Sequence, residues 1–121
     1  MRVLVSGGRD FTDEQLVFRV LDHLHQKIGI DALIEGEATG VDTFGKNWAI
    51  SRQVVVEPYP ADWDRYEGYA GRVRNAQMLR EGKPDVLITF PGGDGTIDMR
   101  FKAIEAGVET VRIRRRQSDG R

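Results

Sequence analysis

The sequence predicts an α/β fold with a mostly parallel sheet of about five strands, and two features carry that expectation. Short runs rich in β-branched residues alternate with longer segments whose apolar residues recur at helical spacing. The junctions after those runs are rich in glycine, as turns that carry a chain from a strand into a helix often are. With 121 residues the chain is long enough for one core and too short for two full domains, so residues 1–113 are expected to form a single domain.

Residues 2–6, RVLVS, read as a buried strand followed by the turn GGRDF and a helix from about Thr12. Thr12 with Gln15 makes a capping-box pattern, and Val17, Val20, Leu21, Leu24 and Ile28 form an apolar stripe. DALIE at 31–35 is the second strand, and GEATGVD at 36–42 leads into a helix with Val41, Phe44 and Trp48 on one side. VVVEPY at 54–59 is the third strand, and residues 60–68 are expected as loop. A third helix is predicted over about 69–81 with Tyr69, Val73, Ala76 and Leu79 inward. DVLITF at 85–90 is the fourth strand, and a fourth helix over about 95–106 carries Ile97, Phe101 and Ile104 as its core stripe and closes at Gly107. ETVRI at 109–113 is the last strand, and residues 114–121, with three consecutive arginines, are expected to be a flexible basic tail.

Charged residues make up 31% of the chain, but their signs nearly cancel to a formal net charge of −1, so no whole-molecule field gathers nucleic acid or anionic lipid. Any anion site must be local. The absence of cysteine removes disulfides, thiolate nucleophiles and cysteine-ligated zinc. The N-terminal MRVLVSGGRD holds too short an apolar stretch for a signal peptide, and no later run approaches the roughly 20 residues of a membrane span. A cytoplasmic protein with no membrane association is expected.

In open parallel sheets, ligands sit beyond the carboxyl ends of the strands, which gives the strand-to-helix loops most weight. In PGGDGT, residues 91–96, Gly92, Gly93 and Gly95 allow a close approach of backbone after Pro91. The helix that begins there adds N–H donors and partial positive charge beside Asp94, and Thr96 adds a hydroxyl, so a phosphate is the expected guest. The lysine of a Walker A loop is missing, and no G-x-G-x-x-G follows the first strand. Gly7, Gly8 and Arg9 make the first loop small and then cationic, and Arg9 either clamps a phosphate or pairs with Asp10 or Asp13. In the second loop Gly36 and Gly40 bracket EATG, and Asp42 falls in the first helical turn, where it either serves the helix dipole or reaches a ribose hydroxyl or metal.

Arg74 and Met78 are four residues apart on a face distinct from the predicted inward stripe, which directs Arg74 toward the ligand edge or along the surface, with Asn75 beside it. Trp63 and Tyr66 offer aromatic surface for a base or for packing. His23 and His25 lie on the polar side of the first helix without a third ligand at metal spacing, and no carboxylate cluster is apparent, so no metal site is expected.

Taken together, GGRDF, GEATGVDTFGKNWA, YPADWDRY, AGRVRNAQM and FPGGDGTIDM resemble the YspA-type, YpsA-related branch of the SLOG superfamily, named for the Smf/DprA and LOG proteins. The resemblance runs through residues 3–113 and implies a Rossmann-like three-layer sandwich that binds nucleotides or nucleotide-derived ligands. LOG enzymes hydrolyse the N-glycosidic bond of nucleoside 5′-monophosphates and carry R-x-x-x-M and P-G-G-x-G-T-x-x-E. Arg74 and Met78 match the first, and Pro91, Gly92, Gly93, Gly95 and Thr96 match the second, but Met99 stands where the glutamate belongs. Asp98 is adjacent yet lies about 100° round the helix. An oxocarbenium-like transition state needs a positioned carboxylate, so the departure at Met99 counts against hydrolysis.

Met99, with Ala103 and Ala106, is therefore expected to face a neighbouring helix or a second subunit, and because LOG proteins are dimers the resemblance implies a homodimer or larger assembly. The leading expectation is a sensor or carrier whose ligand is a small nucleotide or derivative, with no other cofactor required. The alternatives are a LOG-like phosphoribohydrolase, with Arg74 and Asp98 as its catalytic residues, and a DprA-like single-stranded DNA-binding protein, which the near-neutral charge disfavours.

Overall fold

A computed structural model of the chain describes residues 1–114; the expected tail lies, apart from Arg114, outside the described residues. Five parallel strands form one sheet in the order β3-β2-β1-β4-β5: β1 Arg2–Ser6, β2 Ala32–Glu35, β3 Val55–Pro58, β4 Val86–Thr89 and β5 Glu109–Arg112. The helices are α1 Glu14–Ile28, α2 Val41–Ser51, the single turn α3 Trp63–Tyr66, α4 Ala70–Gly82 and α5 Asp94–Glu105. The three central strands are buried nearly throughout, which is why they read as continuous apolar runs, whereas β3 and β5 are edge strands with exposed positions.

Alternation along the strands divides the core between the two faces of the sheet. Val3, Val5, Leu33, Val86 and Ile88 meet Val17 and Leu21 of α1 and Val41 and Trp48 of α2. Leu4, Ile34 and Leu87 meet Met78 of α4 and Met99 and Ala103 of α5. The result is the three-layer α/β/α sandwich. Trp48 anchors the first layer: it is fully buried and its indole Nε1 donates to Asp22 at 2.8 Å.

Several local expectations need correction. The N-cap of α1 is Asp13 rather than Thr12, its carboxylate accepting from the Leu16 amide at 3.1 Å. The stretch expected as loop at 60–68 holds α3 and a 3-10 turn at Glu67–Tyr69. Asp62 caps α3 by accepting from the Arg65 amide at 3.1 Å. His25 is not merely on a polar side: its Nδ1 accepts from the Ile30 amide at 2.9 Å and its ring meets Trp48 edge-on.

Helices α4 and α5 turn a different face inward from the one their larger apolar residues suggest. In α4 the buried residues are Ala70, Asn75, Met78 and Gly82, while Tyr69 is 69% exposed. In α5 they are Thr96, Met99 and Ala103, and the expected core stripe is outside, with Phe101 65% and Ile104 57% exposed. Met99 is fully buried within the chain's own core, so its burial requires no second subunit.

Candidate functional site

From β1 the chain moves to β2 and β3 on one side, then returns to place β4 on the other, so the strand order reverses between β1 and β4. That is where an open α/β sheet presents a crevice to a ligand. The register aligns Ser6 with Thr89, bringing the loops after β1 and β4 level with one another. The Gly8 amide donates to the Pro91 carbonyl at 2.9 Å, and the Gly8 carbonyl accepts from the amides of Phe11 and Val41 at 3.3 Å each. The Thr39 hydroxyl donates to the Arg9 carbonyl at 3.3 Å, which ties the loop after β2 to the same point.

Glycine is needed at two of these crossings. Gly40 has φ +74°, and a Cβ there would stand 2.8 Å from the Arg9 carbonyl carbon. At Gly92 a Cβ would come within 2.7 Å of the Gly8 nitrogen. Gly93 and Gly95 differ: nothing lies within 4 Å of a Cβ at either, and neither has a positive φ.

The joined loops and α4 enclose an open cavity of about 710 Å³. Gly7, Gly8 and Arg9 line it from the first loop, Asp42 from α2, and Gly93, Asp94, Gly95 and Thr96 from the start of α5. Trp63, Arg74 and Asn75 close the side nearest α3 and α4. Gly36, Gly40, Pro91 and Gly92 build the walls without lining the cavity, and Tyr66 and Asp98 also lie off it. Lining residues that sequence reasoning missed include Ser6, Tyr69 and Arg72. The arginine spacing in GRVRN is the available signal for Arg72, whereas helical periodicity places Tyr69 on the inward face.

Where α5 begins at the edge of the cavity, Gly93 is its N-cap and accepts from the amides of Thr96 and Ile97 at 3.1 Å each. No described side chain caps this helix, and Asp94, Gly95 and Thr96 of its first turn line the cavity with the helix dipole behind them. Asn75 braces the turn from α4, its Nδ2 donating to the Gly95 carbonyl at 3.2 Å and to Asp98 at 3.0 Å. Asp98 also accepts from Lys102 at 2.5 Å; burial alone would raise its pKa, but Lys102 and Asn75 hold it below the ordinary value. It is an ionised brace for Asn75.

On the opposite wall, Asp42 is buried and accepts from the amides of Gly36 and Ala38 at 3.2 and 3.3 Å. Burial pushes its pKa up to about 6 in spite of Arg74 and those amides, which favour the charged form. Arg74 donates through Nη1 to the Gly36 carbonyl and through Nε to Asn75 at 3.0 Å. Its guanidinium is half-buried beside Asp42, and burial lowers its pKa.

Beneath them lies Glu35, which no sequence pattern distinguished from the end of an apolar strand. It is fully buried, its Oε2 has no hydrogen-bond partner among the described residues, and burial first, then the neighbouring Glu37, pushes its pKa up to about 8. At the rim the Arg9 guanidinium stacks over Trp63 at 5.3 Å from the ring centroid. Among the described residues no group of three or more His, Asp or Glu is placed to hold a metal ion, and no described helix is long and apolar enough to cross a membrane.

Residues 1–66, which supply the first two ligand-edge loops and Trp63, match the family described as YspA, cpYpsA-related SLOG. The chain belongs to this SLOG family. Its similarity to the Gene 61 protein of Mycobacterium phage D29 extends further, at 33% identity over 118 residues, covering 91% of this chain and 94% of that protein. Membership is consistent with nucleotide-related binding or processing. Within this SLOG domain, cations at Arg9, Arg72 and Arg74 share the cavity with two carboxylates, Asp42 and Asp94. That mixture suits a ligand with an anionic group and hydroxyls better than a bare anion.

Proposed function

We propose that the cavity binds a nucleotide or nucleotide-derived molecule, with a phosphate against the N-terminus of α5 and the remainder running toward Asp42, Arg74 and the Trp63 rim. The observation that carries this reading is that Gly93 and Gly95 lack side chains where the fold leaves room for them, beside an uncapped helix start. The backbone there is left bare at the place where a phosphate would approach. A sensor or carrier role needs no further group. Ligand binding is tested by thermal shift with nucleoside monophosphates, cyclic nucleotides and ADP-ribose-like species, each against its phosphate-free counterpart. A phosphate-bearing ligand at about a hundred times its Kd should stabilise the fold by about 2.7 kcal/mol. Gly93→Asp should abolish the shift, and a screen with no shift, or a variant that behaves as wild type, overturns the proposal.

Asp42 favours a second reading, hydrolysis of the nucleotide, because it is a cavity carboxylate whose pKa of about 6 suits proton transfer near neutrality. This reading uses a different carboxylate from Asp98, which is held by Lys102 and Asn75. It predicts release of free base from a nucleoside monophosphate, read by chromatography, and a loss of about a hundredfold or more in Asp42→Asn. A blank assay across the common nucleotides removes it.

We further propose that the protein self-associates as a homodimer or larger assembly. The resemblance to dimeric LOG proteins supports this, as does the uncovered apolar face of α5 formed by Ile97, Phe101 and Ile104.

A further inference from the structure

On the other side of the PGG turn a second, separate cleft of about 310 Å³ opens between α5 and the end of β5. Its apolar floor includes Phe90 and Ile113, and its charged side chains are Arg100, Arg112 and Arg114, with no carboxylate among the described lining residues. None of these three guanidinium groups makes a hydrogen bond or ion pair among the described residues, whereas Arg2, Arg52 and Arg80 each reach a carboxylate. Three like charges around one concavity favour an anionic guest over an empty cleft. Thr96 lines this cleft as well as the first cavity, so the start of α5 separates two anion-attracting hollows of different character. The first mixes cations with Asp42 and Asp94; among the described residues the charged side chains of the second are all arginines.

We propose that this cleft is a second anion site that takes a compact polyphosphate chain, supplied either as inorganic triphosphate or as the phosphates of a nucleoside diphosphate. Planar guanidinium forks match phosphate oxygens in pairs, and three of them balance an anion carrying several negative charges. The small volume suits the phosphate chain itself, with any attached nucleoside left outside or against Ile97 and Ile113. The site is independent of the ligand assigned to the first cavity.

Titration calorimetry on the full chain, in buffer of constant ionic strength, tests the proposal with inorganic triphosphate and ADP as probes and sulfate as the control anion. Triphosphate should bind more tightly than sulfate, and the double variant Arg112→Ala/Arg114→Ala should weaken it by about tenfold or more. Both side chains are exposed, and the charge-preserving Arg112→Lys/Arg114→Lys, which should recover part of the affinity, separates loss of the anion from loss of the fold. In the Gly93→Asp background, which blocks the phosphate position proposed for the first cavity, triphosphate should still bind with the same dependence on Arg112 and Arg114. ADP binding with the same arginine dependence identifies the nucleoside diphosphate as a source of the anion, and binding of triphosphate alone identifies the inorganic ion. The proposal is overturned if the alanine variant binds as wild type, if Gly93→Asp abolishes binding, or if sulfate binds equally well. A single-stranded oligonucleotide that binds through these arginines more tightly than triphosphate also overturns it, in favour of nucleic acid.

Discussion

Gly92 and Gly93 are neighbours in the sequence with different reasons for lacking a side chain. A Cβ on Gly92 would press on the Gly8 nitrogen at 2.7 Å, at the point where the first and fourth loops cross, whereas one on Gly93 would meet nothing within 4 Å. Gly92→Ala should therefore destabilise the fold by about 1–3 kcal/mol through overpacking. Gly93→Ala should change stability by less than about 0.5 kcal/mol, as an unstrained exposed position does, and act instead on ligand affinity. Urea titration of the two variants checks the contrast, and equal destabilisation would contradict it. The motif made both glycines candidates; only the positions of Gly8 and Thr96 separate a glycine that the loop crossing requires from one with open space beside it. Glu35 shows the opposite limit: DALIE reads as a strand, and nothing local says that its carboxyl ends under Asp42 and Arg74.

At the scale of the element, the extents of α4 and α5 are legible in the sequence but their orientations are not. Helical periodicity selects the largest apolar residues as the inward face, but here the inward faces use Ala70, Met78 and Gly82 in α4 and Thr96, Met99 and Ala103 in α5. Small residues let these helices lie close to the sheet and to each other; at Gly82 a Cβ would come within 3.3 Å of Ile34. The bulkier Ile97, Phe101 and Ile104 are left outside, where they form the uncovered apolar face on which the proposed self-association rests. Phe101→Glu, at a position 65% exposed, should shift the sedimentation profile toward monomer while leaving monomer stability within about 0.5 kcal/mol. A wild-type protein that sediments as a monomer at high concentration would remove the basis for that prediction.

For the molecule as a whole, the buried carboxyl groups under the cavity make stability depend on pH. A raised carboxyl pKa means that the folded state holds a proton that the unfolded chain has released, so stability falls as pH rises between the unfolded and the folded value. For Glu35 that window runs from 4.5 to about 8, and for Asp42 from 3.8 to about 6. The slope is at most about 1.4 kcal/mol per pH unit for each group. Urea denaturation between about pH 6 and about pH 8 should show declining stability, and Glu35→Gln should flatten the decline. An unchanged slope in the variant would assign the proton to another group. Ligand binding to Asp42 would be expected to move the same titration, which links the cavity to the core beneath it.

The alternation of β-branched runs and helical segments determined the fold class, the strand spans and the loops that reach the ligand edge, because local periodicity records which positions are shielded from water. Family membership was likewise legible in ordered motifs that local chemistry keeps recognisable. Tertiary structure alone decided which face of α4 and α5 turns inward, that Asp98 braces Asn75 instead of lining the cavity, and that the buried Glu35 and Asp42 lie beside the half-buried Arg74. It also gathered Arg100, Arg112 and Arg114 around a second cleft. These features depend on contacts between residues far apart in the chain, and distance in sequence carries no record of them.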